Sequence, residues 1–145
     1  MESILYAKSA PEWTTLEAHT EHVIIVAVTF AKYLGLDSGI ARNGAILHDI
    51  GKAHSYFQTK RLQGEGKHRT IFRHEIASLF FLSAFPKEQW NALIEMVAGH
   101  HKSVLKDNNE MGLLDLEEAY DYIDFHLREW DIWSNDAVAL LNKLG

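Results

Sequence analysis

A chain of 145 residues with 47% apolar residues and only two prolines is long enough to bury one core and too apolar for a disordered segment. It contains no cysteine, which excludes disulfides and thiolate metal sites and fits a reducing cytoplasm. A net charge of −6 excludes a protein that grips duplex DNA by its own basic surface, because phosphate neutralisation supplies most non-specific affinity.

The apolar spacing is helical almost throughout and predicts an all-α fold of about six helices in one domain, residues 1–145. Thr14 with Glu17 reads as a capping box opening a first helix that runs to Leu34, with Val23, Val26, Ala27, Phe30, Ala31 and Leu34 as its buried stripe and Gly35 as its stop. The longest apolar run, Val23 to Ala31, is too short to cross a bilayer, and Met1-Glu2-Ser3 lacks the pattern of a secretory signal. Ser38 caps a second predicted helix, Ile40 to Phe57, carrying Ala41, Ala45, His48 and Lys52 along one line. Residues Thr59 to Thr70, with Gly64, Gly66 and the bases Lys60, Arg61, Lys67 and Arg69, read as a loop able to guide a strand of nucleic acid. A third helix starts near Arg73 and ends before Pro86, with Ile76, Leu79 and Phe80 inward. Pro86 opens a fourth, with Trp90, Leu93, Ile94 and Val97 buried, that ends at His100-His101. After a polar loop, Asp115 opens a fifth helix with Leu116, Ala119, Tyr120, Ile123, Leu127 and Trp130 inward, and Ser134 caps a short sixth.

The nine histidines carry the functional signal. His22, His48-Asp49, His74 and His100-His101 fall on successive helices at equal steps along the chain. They occupy the start, end, start and end of those helices, so antiparallel packing brings them to one end of the bundle. His22 is preferred to His19, one turn earlier, because Val26 follows it by four residues on the expected inward stripe. His54, His68 and His126 are expected to be structural or at the surface. Burying five imidazoles and a carboxylate without partners is costly, and one or two divalent cations explain the cluster together. Imidazole with carboxylate suits Mn, Fe, Co, Ni or Zn better than Mg. Lys52, one turn after His48, is a candidate contact for a phosphate.

The strings His22-Val-Ile-Ile-Val26-Ala27, Ile46-Leu47-His48-Asp49-Ile50-Gly51-Lys52, Phe57-Gln58, Arg73-His74-Glu75 and His100-His101 resemble the HD nuclease domain of the type I CRISPR interference nuclease–helicase, over about residues 14 to 103. The resemblance implies metal ligands at His22, His48, Asp49, His74, His100 and His101 and an active-site lysine at Lys52. It also implies cleavage of single-stranded DNA beside a helicase and an RNA-guided surveillance complex. The family closes its site with a further aspartate on a later helix. Asp121, Asp124, Asp131 and Asp136 lack that motif's company, so either the first metal is held more weakly or, as is expected, the ligand lies beyond Gly145 in a longer protein of which this chain is the leading part. Two other readings stay open. One is a phosphohydrolase of nucleotides or cyclic dinucleotides, which needs no basic track. The other is a degenerate, non-catalytic docking module.

Overall fold

The computed structural model describes residues 4–63, 72–100 and 119–145, and these form an all-α domain. Six α-helices are present among the described residues: α1 (Leu16–Leu34), α2 (Ser38–Leu47), α3 (His74–Leu79), α4 (Trp90–Gly99), α5 (Ala119–His126) and α6 (Trp130–Leu144). Among the described residues the strand-like contact is one bridge between Tyr6 and Thr15, which ties the amino-terminal segment to the start of α1. No described helix is long and apolar enough to cross a membrane.

Helix α1 begins one residue later than its expected box. The Thr15 hydroxyl accepts the Ala18 N–H at 3.2 Å, and Gly35, at φ 70°, closes the far end with its N–H on the carbonyls of Ala31 and Lys32. Its buried side keeps only part of the predicted stripe: Val23 and Ala27 are half-buried and Ala31 is buried. Leu16, Thr20 and Ala31 are buried, whereas Val26, Phe30 and Leu34 are exposed, as are Ile25 and Tyr33. From Val23 to Ala31 the helix is apolar but for Thr29, so periodicity could not choose a face. The small side chains of Thr20 and Ala31 let their face seat against the body of the protein.

The predicted second helix is broken. Asp37 caps α2 by accepting the N–H groups of Gly39 and Ile40, and α-helical geometry stops at Leu47. Asp49 turns at φ −119°, ψ 3°, and a 3-10 turn follows over Ile50–Ala53. The break has a steric cause in Gly51. A Cβ there would lie 2.1 Å from the His74 carbonyl oxygen, 2.6 Å from the Ser78 nitrogen and 2.8 Å from the Ala77 Cβ. The 3-10 turn therefore lies backbone to backbone on the first turns of α3. A π-helical turn over Phe57–Arg61 comes next, so the start of the expected loop is ordered; residues 64–71, including His68, lie outside the described residues.

Helix α3 is short and passes through a 3-10 turn at Leu82–Ala84 and a second at Lys87–Gln89, which Pro86 precedes, into α4. Leu93 and Val97 are fully buried as expected, while Ile94 is 37% exposed. The expected start at Asp115 and Leu116 lies outside the described residues. Among the described side chains of α5, His126 is buried, Phe125 packs on the core and Ile123 is exposed, as is Leu127 just after the helix. Ser134 is not a cap: α6 begins at Trp130, and Ser134 is buried within it. Leu16, Leu47, Ile50, Ala77, Leu93, Val97, Trp133 and Ala137 form the centre of the core. The buried Trp133 ring donates its N–H to the Arg128 carbonyl at 3.1 Å.

Candidate metal centre

The alternation of helix ends holds in three dimensions. His19 lies in the first turn of α1, His48 caps the end of α2, His74 opens α3 and His100 caps the end of α4. All four converge on Asp49, which is 2% exposed. His19 Nε2 is 2.9 Å and His48 Nε2 3.2 Å from its Oδ2; His74 Nε2 is 3.1 Å and His100 Nε2 3.6 Å from its Oδ1. Two sets of donor atoms result, His19–His48–Asp49 and Asp49–His74–His100, each lying within 4.8 Å of one another and sharing the one carboxylate. Lys52 Nζ donates to Oδ2 at 2.6 Å from one 3-10 step away.

His22 does not take part. It is exposed, and His19, three residues earlier, holds the place assigned to it. The correction follows from the face on which α1 packs: Val26, whose spacing favoured His22, points to solvent. The equal steps that linked His22 to the later sites are a coincidence of numbering. His101 lies outside the described residues.

The tautomers show what the cluster needs. His48 Nδ1 lies 2.6 Å from the Ala45 carbonyl and His100 Nδ1 2.6 Å from the Val97 carbonyl, so each Nδ1 carries the proton it donates there. In the neutral rings, both Nε2 atoms then aim lone pairs at carboxylate oxygens. Oδ1 is buried and has no hydrogen-bond partner among the described residues. Acceptors facing acceptors at such distances repel unless a proton or a cation lies between them. Burial raises the Asp49 carboxyl pKa, but the contacts from His100, His19, His48 and His74 outweigh it and hold the group far below the usual carboxylate range. Burial pushes His74 down against the pull of Asp49, whereas at His100 burial is overcome by Asp49 and the pKa rises. Protonating every ring would crowd cations round one carboxylate already paired with Lys52. Divalent metal would satisfy the same lone pairs, and the nitrogen–carboxylate donor set suits a transition metal.

Neighbouring residues hold the cluster in place. Gln58 donates to the carbonyls of Tyr6 and Lys52 at 2.9 and 2.7 Å and accepts the Tyr6 N–H at 3.0 Å, anchoring the turn that carries Lys52 to the amino-terminal segment. Glu75, 7% exposed, is paired with Arg73 at 2.7 Å, and its other oxygen is 3.8 Å from His74 Nδ1. Burial raises the Glu75 pKa, but the charges of His74 and Arg73 keep it below its usual value. Asp124 and Asp131 are exposed, Asp136 lines a cleft with Thr15, Glu17 and Lys143, and none of the three belongs to the donor sets; the Asp121 side chain lies outside the described residues.

His54 and His126 are structural, as expected. Both are buried, His54 at 4.8 Å from the Phe72 ring and 4.9 Å from Trp133, and His126 Nε2 accepts the Arg73 N–H at 2.8 Å beside the site.

The chain matches the HD domain family over residues 16–132. No solved structure matches it. HD domains are in general metal-dependent phosphohydrolases, and the His/Asp cluster round Asp49 is compatible with divalent metal ions. With a match that covers most of its length and a shared-carboxylate histidine cluster at one end of its helices, the chain belongs to the HD domain family.

Proposed function

We propose that this chain hydrolyses phosphodiester bonds of single-stranded DNA with one or two divalent transition-metal ions, beside a helicase and an RNA-guided surveillance complex in type I CRISPR interference. The observation that carries the hydrolytic reading is Asp49, one buried carboxylate shared by two histidine-containing donor sets. His19, His48 and Asp49 would hold one ion, and Asp49, His74 and His100 the other. A divalent ion so held supplies Lewis acidity toward a phosphoryl oxygen and makes water acidic enough to attack phosphorus near neutral pH.

The chain's own groups do the rest. The Nδ1 bonds of His48 and His100 to backbone carbonyls lock both rings with Nε2 toward the carboxylate. Lys52, its side chain 14% exposed, keeps its ammonium against Asp49 Oδ2, where it offsets negative charge and can meet an incoming phosphate. The nuclease branch is supported by the resemblance of Gly51-Lys52, Phe57-Gln58 and Arg73-His74-Glu75. Each of these segments has a definite task round the site: close backbone approach, anchoring of the lysine turn, and a carboxylate near His74.

The net charge of −6 favours a second reading, a nucleotide or cyclic dinucleotide substrate that needs no basic track. Purified protein and Asp49→Ala would each be analysed for bound metal. Both would then be incubated with single-stranded DNA and with a nucleotide panel in Mn²⁺ or Ni²⁺. The proposal expects metal and DNA cleavage in the parent and neither in the variant. Turnover of nucleotides alone moves the assignment to the second reading. Equal metal content and equal cleavage in both proteins remove the site from the chemistry.

A further inference from the structure

Ser78 lies on α3 one turn beyond His74 and is fully buried. Its hydroxyl accepts the N–H of Gly51 at 2.9 Å and donates to the carbonyl of His48 at 3.2 Å. Those two backbone groups bracket Asp49. The His48 carbonyl has been freed by the end of α2, and the Gly51 N–H lies in the 3-10 turn that replaces it. A buried serine has one proton to donate and lone pairs to accept, so a single side chain satisfies both groups.

The surroundings leave little play. Gly51 sits so close to the His74 carbonyl, the Ser78 nitrogen and the Ala77 Cβ that no side chain fits between. Ser78 follows His74 by four residues, so both lie on the same side of α3. The segment holding His48 and Asp49 is therefore registered against the segment holding His74 by one hydroxyl on a glycine-thin contact.

We infer that Ser78 is a positioning residue for the metal centre: its hydroxyl clamps the peptide that precedes Asp49 and the peptide that follows Ile50, and so fixes the carboxylate between the two histidine sets. This rests on the metal reading above. Removing the hydroxyl orphans one donor and one acceptor, and the turn relaxes by re-aiming the His48–Asp49 and Ile50–Gly51 peptides between which Asp49 is held. Bound ions respond to sub-ångström errors in ligand placement, and lost supporting hydrogen bonds commonly weaken metal sites about 10- to 100-fold.

The test is isothermal titration of the parent and of Ser78→Ala with Mn²⁺ and Ni²⁺, with no substrate present and with the unfolding temperature of the metal-free proteins recorded. The expected result is a Kd for metal about 10- to 100-fold higher in folded Ser78→Ala. A smaller metal-induced rise in unfolding temperature should accompany it. A folded variant that binds metal as the parent does overturns the inference, even if its metal-free form is less stable, because that is the mark of a purely structural hydroxyl. Should Ser78→Ala not fold, Ser78→Cys keeps nearly the same volume with weaker hydrogen bonds, and the same two results decide. If the parent itself binds neither ion, the metal reading has failed and this inference goes with it.

Discussion

Replacing Gly51 by alanine tests the contact on which the site is built. The new Cβ would stand 2.1 Å from the His74 carbonyl oxygen, where ordinary contact begins at 3.4 Å, so the 3-10 turn and α3 must separate by about 1.3 Å. The obstructing atoms are backbone, and no rotamer change relieves them. Overpacking of this kind costs about 1–3 kcal/mol. The separation also stretches the Ser78–Gly51 hydrogen bond, adding about 1 kcal/mol. A total near 3 kcal/mol corresponds to a fall of roughly 6–12 °C in unfolding temperature for a domain of this size. Gly44→Ala is the control. Its Cβ would also be too close to a neighbour, but that neighbour is the flexible end of Met96. Better helix propensity offsets part of the cost there, so a change within about 1 kcal/mol is expected. Urea and thermal unfolding followed by tryptophan fluorescence would measure both variants. If Gly51→Ala melts within 2 °C of the parent, or no lower than Gly44→Ala, the backbone-to-backbone seating is wrong.

Two other perturbations probe the site and the core. His19→Ala should abolish or severely weaken binding at one of the two donor sets, whereas His22→Ala, on the exposed side of the same helix, should leave metal stoichiometry and stability within about 0.5 kcal/mol of the parent; equal losses in the two variants would contradict the face on which α1 packs. Burial, aided by the charge of His126, lowers the His54 pKa to about 4 from an unfolded value of 6.5. Between those values the unfolded chain binds a proton that the folded chain refuses. This group's contribution is therefore complete above pH 6.5 and declines as the pH falls to 4, by about 3 kcal/mol in all. Denaturant titrations at pH 7.5, 5.5 and 4.5 should show a shallower loss in His54→Asn than in the parent, and parallel curves would refute the assignment.

Much of the centre was legible in the chain because it depends on local signals. Apolar spacing announced helices, and the positions of His48, His74 and His100 at alternating helix ends foretold that they meet at one end of the bundle, with Asp49 beside His48. His19 was harder. Both it and His22 follow the start of α1 within two turns, and the only sequence hint in favour of His19 is its place beside Leu16 and Thr20, the residues that prove buried. Ser78 gave no signal at all, because a serine in a short helix has no distinguishing neighbours until a foreign backbone is laid against it.

The residues alone carried the helical class and, of the clustered set, His48, Asp49, His74 and His100, with His22 named in the place of His19. Packing in three dimensions was needed to choose the inward side of α1, the place where the second helix breaks, and the hydroxyl that holds the break. The reason is physical. A helix as apolar as α1 is from Val23 to Ala31 has no preferred face until small residues such as Thr20 and Ala31 meet a partner surface, and an α-helix through Asp49 is locally permissible until Gly51 must touch the backbone of α3. Those choices are made by contacts between segments far apart in the chain, which no local pattern records.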